Sequence, residues 1–228
     1  MKNQDYISTL RRILAELFAW KYVAVHIFVM LVTYLFVILG VDWNYFLFTM
    51  KFVPRPVLFL ADGLGFLIPI LILVNLFLLG KWKKKILYKN TIMALSLTTV
   101  LAFAVSTFYK IFTGRISPPD EGPFTTDISG AFHFGLMHES VIGGWPSSHA
   151  TIMFALAACL TVLFPKFWLM HCLAFAMAFF IGIGVTFGFH WLSEFIAGAL
   201  IGVTIGTVVG EMYKEKNINH ATSGLMRK

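Results

Sequence analysis

From Tyr22 to Val209 the chain alternates long apolar runs with short polar punctuation, and this alternation limits the fold more than any other feature. Six runs stand out: Tyr22–Val41, Val57–Leu79, Thr91–Tyr109, His149–Phe164, Phe167–Phe189 and Phe195–Val209. Most approach the ~20 residues that an α-helix needs to cross about 30 Å of hydrocarbon. With 58% apolar and only 13% charged residues, such a chain is not a soluble domain. The expectation is all-α: a polytopic membrane protein built as a six-transmembrane-helix bundle.

Charge placement sets the expected topology. The net charge of +7 could suggest nucleic acid, but the basic residues cluster at the ends of the apolar runs. If all six runs cross, the side holding both termini carries 14 Lys and Arg, the strongest group being Lys81, Lys83, Lys84, Lys85 and Lys89; the other side carries four, Lys51, Arg55, Lys110 and Arg115. The positive-inside rule places both termini in the cytoplasm. The expected location is a cytoplasmic membrane of the bacterial inner-membrane kind, with no nucleic-acid partner, and the oligomeric state is left open. Cys159 and Cys172 lie within apolar runs and imply neither a disulfide nor a metal framework. No cleavable signal peptide is read at the start, since the first run is span-length and lacks a small-residue cleavage site. Residues 1–21 carry Tyr6, Ile7, Leu10, Ile13, Leu14, Leu17 and Phe18 at helical spacing, as in an amphipathic helix on a membrane face. Residues 22–212 are expected to form the membrane domain, and 213–228 a loose polar tail.

Three polar stretches fall on the side opposite the termini. Lys110 and Arg115 follow the third run. Gly143-Gly144-Trp145-Pro146-Ser147-Ser148-His149-Ala150-Thr151 opens the fourth, where Pro146 suits a first helical turn and Ser147 and Ser148 suit the cap. A helix starting there aims N–H groups and its positive dipole end at an anion. His190 and Glu194, four residues apart, are one helical turn from each other. A carboxylate on one imidazole nitrogen fixes the tautomer and leaves the other as nucleophile or base. His149 adds a second imidazole suited to protonate a leaving group. Cations beside two histidines and a carboxylate favour a bound anion over a metal ion. The set therefore reads as a phosphoryl-transfer site without metal or cofactor.

Other features are secondary. Asp62 reads either as a pocket acid or as a residue at the membrane edge, and His133 and His138 lie in the one long loop. Gly198, Gly202, Gly206 and Gly210 recur every four residues on the last run, a stripe that lets another helix approach.

The order of a Lys–Arg stretch, a Pro-Ser-x-His stretch and a His-x-x-x-acid stretch on the third to sixth of six runs resembles the type 2 phosphatidic acid phosphatase and vanadium haloperoxidase superfamily, over roughly residues 57–212. The resemblance implies an integral membrane phosphatase acting on a lipid phosphate or diphosphate: a glycerolipid phosphate, a polyprenyl diphosphate or a phosphorylated glycolipid. By it His190 is the nucleophile that becomes a phosphohistidine, Glu194 its orienting acid and His149 the leaving-group acid. Lys110, Ser147 and the backbone at Ser148 hold the phosphate, and Arg115 is the candidate substitute for an arginine missing at Ser117. The pattern departs at four positions: Ser117 and Gly184 stand where it has Arg, Ser148 where it has Gly, and Glu194 where it has Asp. The alternatives are a lipid phosphotransferase and a non-catalytic lipid-binding protein of the same fold.

Overall fold

The structure is a computed structural model that describes residues 2–83, 86–120, 125–136 and 144–225. Among these, eight α-helices follow in order: α1 (Lys2–Leu17), α2 (Trp20–Ile38), α3 (Val41–Phe52), α4 (Arg55–Lys83), α5 (Ile86–Thr113), α6 (Ser148–Leu163), α7 (Trp168–Gly184) and α8 (Leu192–Leu225), with a 3-10 turn at Val185–Phe187 after α7. The all-helical expectation holds.

Five helices, α2, α4, α5, α7 and α8, are long and apolar enough to cross a membrane. The sixth expected span, α6, has 16 residues, about 24 Å at 1.5 Å per residue. It falls short of the ~30 Å hydrocarbon core. Its surroundings explain why this is tolerated. Half of α6 is buried, all of it between Ala150 and Cys159, so its N-terminal part meets protein instead of lipid. Backbone groups must be satisfied internally only where lipid is the neighbour.

The glycine stripe makes this central helix possible. A Cβ built on Gly198 would lie 2.6 Å from the Ser147 carbonyl oxygen. At Gly202 and Gly206 it would overlap the Thr151 and Ala155 carbonyls more deeply still. Four-residue steps on α8 thus match four-residue steps on α6, and the two backbones touch along one seam. Ala155, Leu156, Cys159, Ile201, Ile205, Val208 and Val209 close the core around it.

Three expectations require correction. The stretch after Val41, expected only as polar punctuation between the first two apolar runs, is largely the helix α3. The segment from Tyr213, read as loose, continues α8 to Leu225. Tyr213 is buried there, and Arg12 pairs with Glu215 at 3.1 Å and Asn90 Nδ2 with Asn217 Oδ1 at 2.7 Å. Pro146 precedes the capping Ser147 and so stands outside α6. The first segment is helical as α1, with Ile13 buried while Ile7, Leu10 and Leu14 are exposed. Lys84, Lys85, Glu121, His138, Glu139, Gly143, Arg227 and Lys228 lie outside the described residues.

Candidate active site

The site forms where the C-terminal end of α5 meets the N-terminal ends of α6 and α8. Lys110, in the last turn of α5, is buried, and its charge is felt at Glu194, His149 and His190. Gly114 then turns the chain at φ 49°, a conformation open to glycine, with no room for a Cβ beside the His133 carbonyl. This lets residues 114–116 run antiparallel to 131–133. Ile116 N–H donates to the Ala131 carbonyl at 3.0 Å and His133 N–H to the Gly114 carbonyl at 3.1 Å. The Trp191 indole N–H donates to the Ile116 carbonyl at 2.8 Å, tying this ribbon to the start of α8.

Ser147 is the N-cap of α6. Its hydroxyl accepts from Ala150 N–H at 3.5 Å, and its own N–H donates to the Glu194 carbonyl at 3.1 Å. The Ser148 hydroxyl bonds to that of Ser106 on α5 at 3.0 Å. Both serine hydroxyls therefore have partners within the protein, while the backbone at Ser148, expected to hold the phosphate, belongs to the first turn of α6, whose N–H groups point out of the helix end. Trp145, just upstream, is anchored by its indole N–H to Thr33 Oγ1 on α2 at 2.8 Å.

His190 sits two residues before α8, on the connection from the 3-10 turn, held by its N–H to the Val185 carbonyl at 3.1 Å. Its Nδ1 pairs with Glu194 Oε2 at 2.7 Å, and both side chains are buried. With Glu194 ionised, Nδ1 is the protonated nitrogen and Nε2 carries the lone pair. Burial pushes the His190 pKa below the ordinary histidine value, while the bond to Glu194 opposes that shift. His149 lies across from it, ring centroids 6.3 Å apart. His149 Nε2 is 3.3 Å from Asp62 Oδ1 on α4, an ion-pair distance outside hydrogen-bond geometry. The Phe66 ring packs T-shaped on the same imidazole, centroids 4.7 Å apart, and Gly65 leaves space for the imidazole. Asp62 thus stands beside His149.

Of the predicted site residues, Lys110, Ser147, Ser148, His149, His190 and Glu194 come together. Arg115 sits behind them with no exposed side-chain surface. Its Nη2 donates to Asp42 Oδ2 at 2.7 Å and to the Ser129 carbonyl at 2.8 Å, its Nη1 to Ser193 Oγ at 2.9 Å, and its Nε to the Ser129 carbonyl at 3.1 Å. The guanidinium faces these partners and Glu194, not the gap between the histidines. At Gly184, where the sequence pattern has an arginine, a Cβ would overlap that of Ala61 on α4. Direct α4–α7 packing occupies the position. His133 is exposed and lends its backbone to the ribbon. Asp42 and Ser193 were not among the predicted residues. The one available signal for Asp42 was an acid at the end of an apolar run.

Among known families, the PAP2 superfamily model matches residues 91–218. No curated protein matches the chain. A similar solved structure is the first transmembrane PAP2 type phosphatidylglycerolphosphate phosphatase from Bacillus subtilis, 13% identical, covering 86% of this chain and 96% of that one at a TM-score of 0.55. At that identity the likeness speaks for the fold.

Proposed function

The chain belongs to the PAP2 superfamily, and from that premise we propose that it is an integral membrane phosphatase that hydrolyses a lipid phosphate or diphosphate through a phosphohistidine, without a metal ion. The observation that carries the reading is the His190–Glu194 pair at 2.7 Å facing a second histidine, with Lys110 in electrostatic reach of all three.

In this reading Nε2 of His190 attacks phosphorus. The bond to the leaving oxygen breaks as His149 delivers a proton to it. Glu194 keeps Nδ1–H aligned and supports the positive charge on the phosphorylated imidazole. Water then attacks the phosphohistidine, His149 takes the water's proton, and inorganic phosphate leaves with His190 restored. Lys110 and the first-turn N–H groups of α6 stabilise the charge on the phosphoryl oxygens. The substrate anion favours the protonated His149 that the first step needs, and Asp62 stands 3.3 Å from its Nε2.

With α6 counted as a sixth crossing made through the interior of the bundle, the 14-to-4 charge asymmetry supports an active site on the extracytoplasmic face of a cytoplasmic membrane. The substrate is a glycerolipid phosphate, a polyprenyl diphosphate or a phosphorylated glycolipid. The similar solved structure puts glycerolipid phosphates first in the panel to be tried.

The test is phosphate release by purified protein from that lipid panel, comparing wild type with His190→Ala. Turnover should vanish in the variant while its thermal unfolding stays close to wild type. Rapid denaturation at alkaline pH should trap a phosphohistidine in wild type alone. Undiminished turnover by His190→Ala on every substrate would remove the assignment and leave a lipid-binding protein as the better reading.

A further inference from the structure

Next to His190, three ionisable groups share a space with no solvent-exposed side-chain surface. They are Asp42 from α3, Arg115 from the ribbon after α5, and Glu194 from α8. Asp42 Oδ1 accepts Ser193 N–H at 2.8 Å, capping the first turn of α8 from another helix. Its Oδ2 accepts both the Ser193 hydroxyl and Arg115 Nη2. The guanidinium is also held over the rings of Phe132 and Trp191, at 5.1 and 5.7 Å from their centroids. Beyond this network lies Glu194 Oε1, the carboxylate oxygen that His190 does not use. It is buried without a hydrogen bond, and Arg115 Nη1 stands 3.6 Å away.

A buried pair of this kind adds little to stability compared with apolar packing, whereas leaving one charge alone is costly. Its value here lies in what it does to Glu194. Arg115 alone would draw the Glu194 carboxylate toward itself and away from His190. Asp42 neutralises Arg115, so Glu194 keeps its charge directed at the imidazole.

We infer that Asp42 and Arg115, linked through Ser193, are positioning residues: a charge-balanced clamp that fixes Glu194 behind His190 and leaves the carboxylate's charge available to it. The catalytic consequence rests on the phosphohistidine reading, while the clamp itself does not. The groups whose charge reaches His190 are Glu194 from α8, Lys110 from α5, Asp62 from α4 and His149 from α6. Of these, the clamp acts through Glu194.

The two halves of the clamp have opposite signs, which a merely structural role would not reproduce. Asp42→Asn leaves Arg115 uncompensated against Glu194 and makes His190 harder to protonate. Arg115→Gln leaves Asp42 as an added negative charge and makes it easier. The titration of His190 is read by 15N NMR on histidine-labelled protein, its signal identified by loss in His190→Ala. Its midpoint should move down in Asp42→Asn and up in Arg115→Gln, each by about one pH unit for a charge several Å away in a partly polar interior. The paired variant should return close to wild type. In the phosphate-release assay both single variants should lose about tenfold or more in kcat with KM within about threefold. A midpoint unmoved, or moved the same way by both, would overturn the inference. If neither variant folds, Arg115→Lys and Asp42→Glu decide it. These keep the charges, so His190 should titrate as in wild type while kcat falls; wild-type kcat in both would overturn the inference. Opposed titration shifts in a protein that cleaves no lipid phosphate would sink the phosphatase reading and leave the clamp standing.

Discussion

Gly184→Arg restores the arginine that the superfamily pattern carries six residues before its last histidine, and the packing predicts that the restoration fails. Gly184 ends α7 and is buried. A Cβ there would overlap the Ala61 Cβ, with the Ala61 Cα at 3.7 Å and the Val57 carbonyl oxygen at 3.9 Å. Ala61 is itself fully buried and has no rotamer to change, so only a shift of α4 could make room. For Gly184→Ala the overpacking costs about 1–3 kcal/mol, offset by about 1 kcal/mol of helix propensity. The net change is a loss of roughly zero to 2 kcal/mol. Arginine adds a stem and a charge with no partner, and its total cost should reach about 4 kcal/mol or more. Ala61→Gly opens the space opposite and should recover much of the loss in Gly184→Ala and little of that in Gly184→Arg. The assay is thermal unfolding of detergent-solubilised protein, followed by the loss of the monodisperse chromatographic peak, with phosphate release measured beside it. A Gly184→Arg protein that melts with wild type and turns over faster would refute the reasoning. It would mean that the α4–α7 contact yields and that the pocket still accepts the arginine.

His149→Ala should cost most on monophosphate lipids, whose alkoxide leaves poorly without a proton, by ~10²-fold or more, and distinctly less on a diphosphate; equal losses on both in a turnover assay would remove the leaving-group role. Because burial depresses the His190 pKa, the nucleophile stays neutral below its ordinary value of about 6.5, so the acid limb of kcat/KM should lie below that pH. The linked stability is complete above about 6.5 and is lost as pH falls through the folded-state pKa, an acid-side loss that His190→Ala should lack in thermal unfolding measured against pH. Vanadate, which adopts the five-coordinate geometry of the transition state, should inhibit competitively, and a chelator should leave turnover unchanged; activity lost to chelator and restored by a divalent metal would contradict the metal-free reading.

The residues that gather at the site were legible because each ends or begins an apolar run. A polar residue there is conspicuous, and the count of runs says which share a membrane face. That logic found Lys110, Ser147, His149, His190 and Glu194. It does not reveal where a side chain points. Arg115 was visible as a charge, but its partner Asp42 lies 73 residues away. Asp42 also belongs to Asp42-Trp43-Asn44-Tyr45, whose acid, amide and aromatic residues read equally well as the edge of a membrane. The helix α3 was hidden for the same reason, having only 12 residues between Gly40 and Pro54 to show a period. Asp62 left two readings open, and its approach to His149 could not be read from sequence. The fate of the Gly184 position required knowing that Ala61, distant in sequence, would stand against it. The helical continuation past Tyr213 was masked by polarity. A polar stretch reads as a tail unless its partners are known, and here these are Arg12 and Asn90.

The seam between α6 and α8 links scaffold to chemistry. In a membrane, helices gain little by burying apolar surface from lipid, so close packing of small residues drives their approach. Gly198, Gly202 and Gly206 bring the α8 backbone against the carbonyls of Ser147, Thr151 and Ala155. The topmost contact, Gly198 on Ser147, lies one turn from Glu194. There the Ser147 N–H also meets the Glu194 carbonyl at 3.1 Å. The residue that caps α6 is therefore fixed from both sides by α8. His149 is two residues further along α6, and His190 is four residues before Glu194. That backbone contact fixes the starts of α6 and α8 against each other and so helps to set the 6.3 Å between the two imidazoles. The same contact explains why a central helix too short to cross lipid is useful. A helix ending inside the protein presents its first-turn N–H groups to a polar site, while the glycine seam takes over the anchoring that membrane interfaces give to longer spans.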